Sequence, residues 1–359
     1  MMHGTPEAEH LFDDARVLVT GGTGSLGRAL VRRLLGGAVG RPARVTVFSR
    51  DEGKQHDMRL AFRRLATASE DTTYRDHAQA LRFVVGDVRD FDAVSSALQN
   101  SDIVFHTAAL KQVPTCEYFP GEAVATNVLG TQNVVRAIER LRLPVRAMIG
   151  VSTDKACKPV NVMGMTKALQ ERILVGANLL CPDTRFVCAR YGNVLASRGS
   201  VIPVFHAQIA AGGPVTLTTA KMTRFLLTQE RAIDALIDVY RIGNRGEVFV
   251  PRVRSARVAT VAESLIGGRG IAVVETGIRP VEKEHEILVA EDEVPRTEQS
   301  AAYYVIRPAL PELDAGSSAS CRPTGEYSSA DALLDQQEVS DLLRDNRLRI
   351  EDRPDFANL

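Results

Sequence analysis

The 359-residue sequence carries no net charge, because 44 lysines and arginines balance 44 aspartates and glutamates. Nonspecific nucleic-acid binding rests on counterion release by a basic surface, so this balance argues against it as the main function. Cysteine is sparse. Cys116, Cys157, Cys181, Cys188 and Cys321 form no C-x-x-C pair, and an odd, scattered set is no disulfide framework. Free thiols in a reducing cytosol are expected. The seven histidines lack H-x-x-x-H and H-E-x-x-H spacing, so no zinc site is expected. No apolar run approaches the ~18 residues of a membrane span. The opening MMHGTPEAEHLFDD has neither the basic start nor the apolar stretch of a signal peptide. It reads as a flexible tail over residues 1–14 of a soluble, cytoplasmic protein with no membrane partner. What remains is an ordinary globular composition, 45% apolar and 25% charged. A chain of this length buries a core without disulfides or structural metal.

Short β-rich runs alternate with longer helical patterns, which predicts an α/β fold with a doubly wound parallel Rossmann sheet. Strands are expected at Arg16–Thr20, Arg44–Phe48, Arg82–Val85, Asp102–His106, Ala147–Val151 and Arg185–Tyr191. Helices are expected near 25–36, 51–66, 90–99, 120–142 and 160–180. Several strands are apolar on both sides of the pleat, as buried parallel strands must be. The rhythm breaks after Tyr191. Residues 15–192, with a helix at 229–241 returning to them, form the expected dinucleotide-binding domain. Residues 193–228 and 242–330 form a smaller, discontinuous substrate-binding domain over the sheet's C-terminal edge. The stretch 310–330 reads as irregular, and 331–359 as a short helix near 335–345 with a fraying tail.

The strand RVLVT runs straight into Gly21-Gly22-Thr23-Gly24-Ser25-Leu26-Gly27 and then a helix. Such a turn lets backbone N–H groups approach a pyrophosphate at a helix N-terminus, so Gly21, Thr23, Gly24, Ser25, Leu26 and Gly27 are cofactor candidates. The second strand ends at Ser49-Arg50-Asp51, where an acidic residue would hold the ribose of NAD. Arg50 arrives first and Lys54 follows one turn later. Two cations suit a 2′-phosphate, so NADP is expected over NAD; the alternative is that both are solvated and Asp51 takes the ribose. Asp87 and Val88 fall at the adenine, although Asp87 could equally be a helix N-cap.

The motifs TGGTGSLG, FSRDEGKQHDM, GDVRD, AALKQVPTCEYFPGEAVATNVLGTQNV, STDKACKPVNVMGMTK, RYGNVLASRGSVIPVF, MTRFLLT and GIRPVEKEHE occur in that order. Over roughly residues 15–295 the chain resembles the extended short-chain dehydrogenase/reductase family. Within it, the chain resembles the bacterial UDP-N-acetylglucosamine 4,6-dehydratases of surface-glycan synthesis. The resemblance implies a tightly bound, recycled NADP that takes a hydride from sugar C4 and returns it to C6 after water leaves across C5–C6. It implies Asp154 as general acid and Lys155 as base at C5. This requires a carboxyl kept protonated by burial and a lysine lowered toward neutrality. An ion pair between adjacent strand-end residues is the structural alternative. Thr153 is placed to bond the C4 oxygen, and Ser152 to do likewise or to support the turn.

The departure is Met163. Ordinary members place a tyrosine four residues before a lysine, on one helix face. Lys167 is present and should hold the ribose, but a thioether cannot shuttle protons. The C4-hydroxyl proton must leave through Asp154, Lys155 or a water held by Thr153. Ala108 and Lys111 edge the same pocket, and Asn127 could support its backbone. For the UDP-sugar, the resemblance points to Asn193, Arg198, Ser200 and Val201, with Arg224, Arg279 and Glu282 completing the site; arginine's planar fork suits a diphosphate. Relatives read glycine where this chain has Val281, which is strained if φ is positive there. The implied partners are UDP-N-acetylglucosamine or a related UDP-sugar and further copies of the chain, as dimer or hexamer. Competing readings are a 4-epimerase or oxidoreductase, a 5,6-dehydratase, and a catalytically silent NADP-binding regulatory protein.

Overall fold

The computed structural model describes residues 10–68, 80–197, 199–314, 316 and 321–356. Apolar side chains alternate between the two faces of its central strands. On β1 (Arg16–Thr20), Val17 and Val19 join one core cluster and Leu18 the other. β2 (Arg44–Ser49), β3 (Leu81–Val85), β4 (Ile103–His106), β5 (Ala147–Thr153) and β6 (Arg185–Tyr191) pair with it in parallel, in the order β3-β2-β1-β4-β5-β6. Burial on both sides is what makes these strands near-continuous apolar runs.

The two clusters are covered by different helices. Leu30, Val31 and Leu34 from Ser25–Leu35, with Ile233, Leu236 and Val239 from Gln229–Ile242, close one face. Val134 and Ile138 from Gly130–Leu141, with Leu174 from Val162–Leu180, close the other. The order reverses between β1 and β4, and that switch point opens a crevice at the strands' C-terminal ends.

The chain after β6 departs from the sequence reading. β7 (Val215–Leu217) and β8 (Thr223–Phe225) lie outside the main sheet, but β9 (Val248–Pro251) joins it parallel to β6. β10 (Ser255–Arg257) pairs with β8, and β11 (Val273–Glu275) with β7. After β12 (Ile287–Val289), β13 (Thr297–Gln299) and β14 (Tyr303–Ile306) extend the main sheet antiparallel to nine strands. Residues 242–330 are therefore shared between the sheet and the smaller unit. The unit's own core gathers Ile202, Phe205, Leu217, Met222, Val261, Leu265, Val339 and Leu343.

The described residues near both chain ends correct part of the expectation of loose tails. Residues 1–9 and 357–359 lie outside the described residues, but Phe12 is fully buried. Its ring stacks on Tyr240 at 5.0 Å and tilts against Phe105 at 6.1 Å. At the other end Leu348 is buried, and its carbonyl oxygen meets His206 Nε2 at 2.8 Å. The residues 315 and 317–320 of the expected irregular stretch are outside the described residues. The last strand, β15 (Tyr327–Ser328), pairs with β12. Among the described residues no helix is long and apolar enough to cross a membrane. Replacing Phe12 by Ala should lower the unfolding free energy by about 3–5 kcal/mol in chemical denaturation, as for any fully buried phenylalanine; a loss under about 1 kcal/mol would return residues 10–14 to the tail.

Candidate functional site

The crevice at the switch point is a cleft of 690 Å³, and the glycine turn forms its floor. Gly21 has φ +66°, and a Cβ there would sit 2.7 Å from the Ala108 backbone. Only glycine lets the ends of β1 and β4 approach this closely. The helix Ser25–Leu35 starts at Gly24, which supplies no side-chain cap. Its first-turn amides are thus available to an anion. Gly21, Thr23, Gly24, Ser25, Leu26 and Gly27 all line the cleft, with Arg50, Lys54, Asp87, Val88, Ala108 and Lys111.

At the end of β2 the cations are not equivalent. Lys54 pairs with Asp51, which also accepts its backbone N–H at 2.9 Å. Arg50 is half-exposed and has a distant ion pair with Asp87, at 3.9 Å. Asp87 is not a helix cap. It takes two hydrogen bonds from the Arg89 guanidinium, at 2.9 and 2.7 Å, while Asp90 caps the following helix. Burial opposes ionisation of Asp87, but Arg89 outweighs it and holds the carboxyl below its ordinary value.

β5 and the turn after it bring Thr153 and Lys155 to the cleft, while Asp154, between them in sequence, is not among its lining residues. Asp154 is fully buried, and Thr153 donates its hydroxyl to Asp154 Oδ1 at 2.9 Å. The Lys155 ammonium lies 3.1 Å from Asp154 Oδ1, 3.4 Å from Glu286 Oε1 and 3.5 Å from Asn193 Oδ1. Here the sequence expectation needs correcting. Burial alone would push Lys155 down, but the charges of Asp154 and Glu286 outweigh it and the opposing Arg224. They hold the ammonium above the ordinary lysine value. Glu286 was missed by sequence reasoning, although it closes the quoted motif GIRPVEKEHE; it is 2% exposed, and nothing in the local pattern sets it apart from the motif's other acids.

The helix Val162–Leu180 brings Met163 and Lys167 to the opposite wall. Met163 packs with Cys116 and Ala123. Lys167 donates to the Val151 carbonyl at 2.5 Å and to Gln170 at 2.6 Å, and its burial depresses it to about 8. Asn127 is fully buried, not on a helix surface. It brackets Leu110 by accepting its N–H at 2.8 Å and donating to its carbonyl at 3.0 Å, which fixes the loop that carries Ala108 and Lys111.

The expected UDP-sugar residues divide. Asn193 and Ser200 line the cleft, whereas Val201, Arg224, Arg279 and Glu282 are not among its lining residues. Arg198 lies outside the described residues. Arg279 is exposed. Arg224 is buried instead, donating to the carbonyls of Thr223, Lys283 and Glu284 at 2.8–3.1 Å and meeting Glu282 at 3.4 Å. Its guanidinium therefore fastens the 282–284 loop. Ser152 Oγ, Asp154 Oδ2, Tyr191 Oη, Ser200 Oγ and Glu286 Oε2 are buried with no hydrogen-bond partner. Such orphans are rare in folded proteins, and those of Ser152, Tyr191 and Ser200 belong to residues that line the cleft, which suits a polar ligand there.

Residues 17–308 match the family model described as polysaccharide biosynthesis protein. The chain belongs to that family. Among its curated relatives is UDP-glucose 4-epimerase of Rickettsia typhi, 39% identical over 301 residues, which cover 82% of this chain and 84% of the relative. Among solved structures, Pen from Bacillus thuringiensis is 33% identical with a TM-score of 0.83, covering 94% of this chain and 99% of Pen. DesIV from Streptomyces venezuelae, a dTDP-glucose 4,6-dehydratase solved with NAD and TYD bound, shares the fold. It has a TM-score of 0.63 at 22% identity, over 75% of this chain and 86% of DesIV.

Val281 adopts φ +60°, the left-handed region anticipated from the glycine of similar sequences, and its carbonyl accepts from Asn161 Nδ2 at 3.2 Å. A β-branched residue costs about 1–2 kcal/mol there. Val281→Gly should raise stability by about 1 kcal/mol in denaturant melts; a loss of stability would show that the backbone is unstrained.

Proposed function

We propose that the protein is an enzyme of the nucleotide-sugar epimerase/dehydratase type and, within it, an NADP-dependent UDP-N-acetylglucosamine 4,6-dehydratase that inverts C5. The observation that carries this reading is the Asp154–Lys155 pair at the C-terminal end of β5, facing a wall where Met163 replaces a proton-shuttling group. The glycine turn and uncapped helix start would hold the dinucleotide's pyrophosphate, Arg50 the 2′-phosphate and Lys167 the nicotinamide ribose. When bound, the dinucleotide supplies the redox chemistry, accepting a hydride from C4 and returning it to C6.

The protons are moved by the chain's own residues. The C4 hydroxyl gives its proton to Thr153 Oγ1, which passes its own to Asp154 Oδ1 along the bond of 2.9 Å. Asp154 is then a neutral acid, and one of the two anions beside Lys155 is gone. Lys155, whose side chain is 22% exposed, sheds a proton to solvent and becomes an amine. It takes the C5 proton while the C5–H electrons form the C5–C6 double bond and the C6 hydroxyl leaves as water with the Asp154 proton. A solvent proton, equal to the one Lys155 shed, adds to C5 on the opposite face and inverts that centre, while Lys155 keeps the abstracted proton as its ammonium. Each group ends as it began. Asn193 and Ser200, with Arg198, would bind the UDP-sugar.

The name of the Rickettsia relatives favours a second reading, C4 epimerisation. That reaction needs a group to carry the C4-hydroxyl proton but has no use for an acid and base at C5–C6. The dehydratase reading brings a cytoplasmic enzyme acting on free UDP-sugar. It also brings a homo-oligomer through the exposed apolar residues Val124, Leu129, Met165 and Leu169.

Proton NMR of the protein with UDP-N-acetylglucosamine in deuterated water tests the reading. The expected product has a C6 methyl group and deuterium at C5. An exocyclic alkene would mean 5,6-dehydration, and C4 inversion without a methyl would mean epimerisation. Arg50→Ala should weaken NADP binding about 10- to 100-fold with NAD binding nearly unchanged; equal loss of both would contradict the NADP assignment.

A further inference from the structure

Glu286 has no place in the reaction as written, yet it lies against the group on which that reaction depends. A carboxylate at 2% exposure is expensive unless paired. Its pairing is spare: Oε1 lies 3.4 Å from Lys155 Nζ and 4.0 Å from Arg224 Nε, and Oε2 has no partner. The backbone, in contrast, is firmly held. Glu286 N–H donates to Ser329 Oγ at 2.9 Å, and Ser329 N–H donates to the Glu286 carbonyl at 2.8 Å. Ser329 is itself fully buried, and its hydroxyl meets Thr223 Oγ1 at 2.7 Å. A segment beyond the residues of the family match thus pins a poorly paired buried acid beside the lysine.

We propose that Glu286 is a positioning residue that, clamped by Ser329, holds the Lys155 side chain in the cleft and sets the pH at which Lys155 can act as a base. The inference rests on the dehydratase reading for its consequence in catalysis, but not for the link between the two residues. Three charged groups face the ammonium: Asp154 from its own turn, Glu286 from the segment before β12, and Arg224 from β8. When Asp154 carries the C4 proton, Glu286 is the remaining anion. It therefore determines how readily Lys155 gives up its proton, and it stabilises the ammonium that forms when the C5 proton arrives.

The test uses two readouts on Glu286→Gln, which keeps shape and removes charge, and on Glu286→Asp. The first is competitive labelling of the purified protein with trace acetic anhydride at a fixed alkaline pH. Lys155 is scored by peptide mass spectrometry against the exposed Lys221. Removal of an anion this close should lower Lys155, so its labelling rises about tenfold or more, with Glu286→Asp near wild type. The second is the pH profile of dehydration, whose rising limb should move to lower pH by a similar amount in Glu286→Gln and return in Glu286→Asp. Unchanged labelling overturns the proposal. So does a uniform loss of activity at every pH with the limb in place, which is the mark of a merely structural role. If the wild type dehydrates no UDP-sugar but the labelling shift is present, the dehydratase reading fails and the Glu286–Lys155 link stands. Should Glu286→Gln not fold, Ser329→Ala is read by labelling instead. It should move Lys155 in the same direction by less, and no movement overturns the proposal.

Discussion

One half-buried ammonium, that of Lys155, lies between two carboxylates at the cleft. In the proposed reaction Lys155 must hold a proton at one moment and accept another later, and a lysine beside two anions does only the first. The geometry resolves this by putting Asp154 in hydrogen-bond reach of Thr153, so that protonation of Asp154 removes one anion. The surrounding structure holds that arrangement rigid. An added Cβ at Gly164 would fall 2.2 Å from the Lys155 carbonyl oxygen, so the helix Val162–Leu180 packs directly on the turn that carries Asp154 and Lys155.

Behind the turn, in register with Ser152, Arg190 is buried between Glu171 and Glu293, with bonds of 2.6–2.9 Å to the two carboxylates. Burial alone would lower Arg190, but the two glutamates hold it well above its ordinary value, so it stays charged. Such a buried cluster contributes little net stability, and breaking it is expensive because a charge is left unpaired. It joins β6, the helix Val162–Leu180 and the loop after β12 into one support, and β12 links that loop to Glu286. The smaller unit is thereby tied to the Rossmann sheet beside Asp154 and Lys155. The antiparallel extension by β14 and β13 strengthens that tie, since the chain that leaves the sheet at β9 returns to it after passing through the smaller unit.

Much of this was legible in the sequence because it is local. A strand running into a glycine turn and a helix is contiguous, and the parallel strands announce themselves as apolar runs. The Asp154-Lys155 dipeptide and the Met163…Lys167 spacing are contiguous too, and the positive φ at Val281 follows from a glycine position. The rest depends on contacts between distant segments. β9, β13 and β14 are three or four residues long and sit among turns, so periodicity has nothing to register. Phe12 looked like part of a polar tail because its partners, Phe105 and Tyr240, are remote in sequence. The burial of Arg224 and the exposure of Arg279 reverse roles that composition treats alike. Most important, the charge of Lys155 could not be read from its neighbours. Asp154 suggested a pair, but Glu286 and Arg224 arrive from other elements.

The proposed reaction turns on Lys155 as the base at C5. Lys155→Met, incubated with UDP-N-acetylglucosamine in deuterated water and followed by proton NMR, tests it most directly, with dinucleotide binding measured alongside. The account predicts that C5 keeps its proton and no methyl signal forms while dinucleotide affinity stays within a few-fold of wild type. A methyl product with deuterium at C5, formed at a rate near wild type, would contradict it.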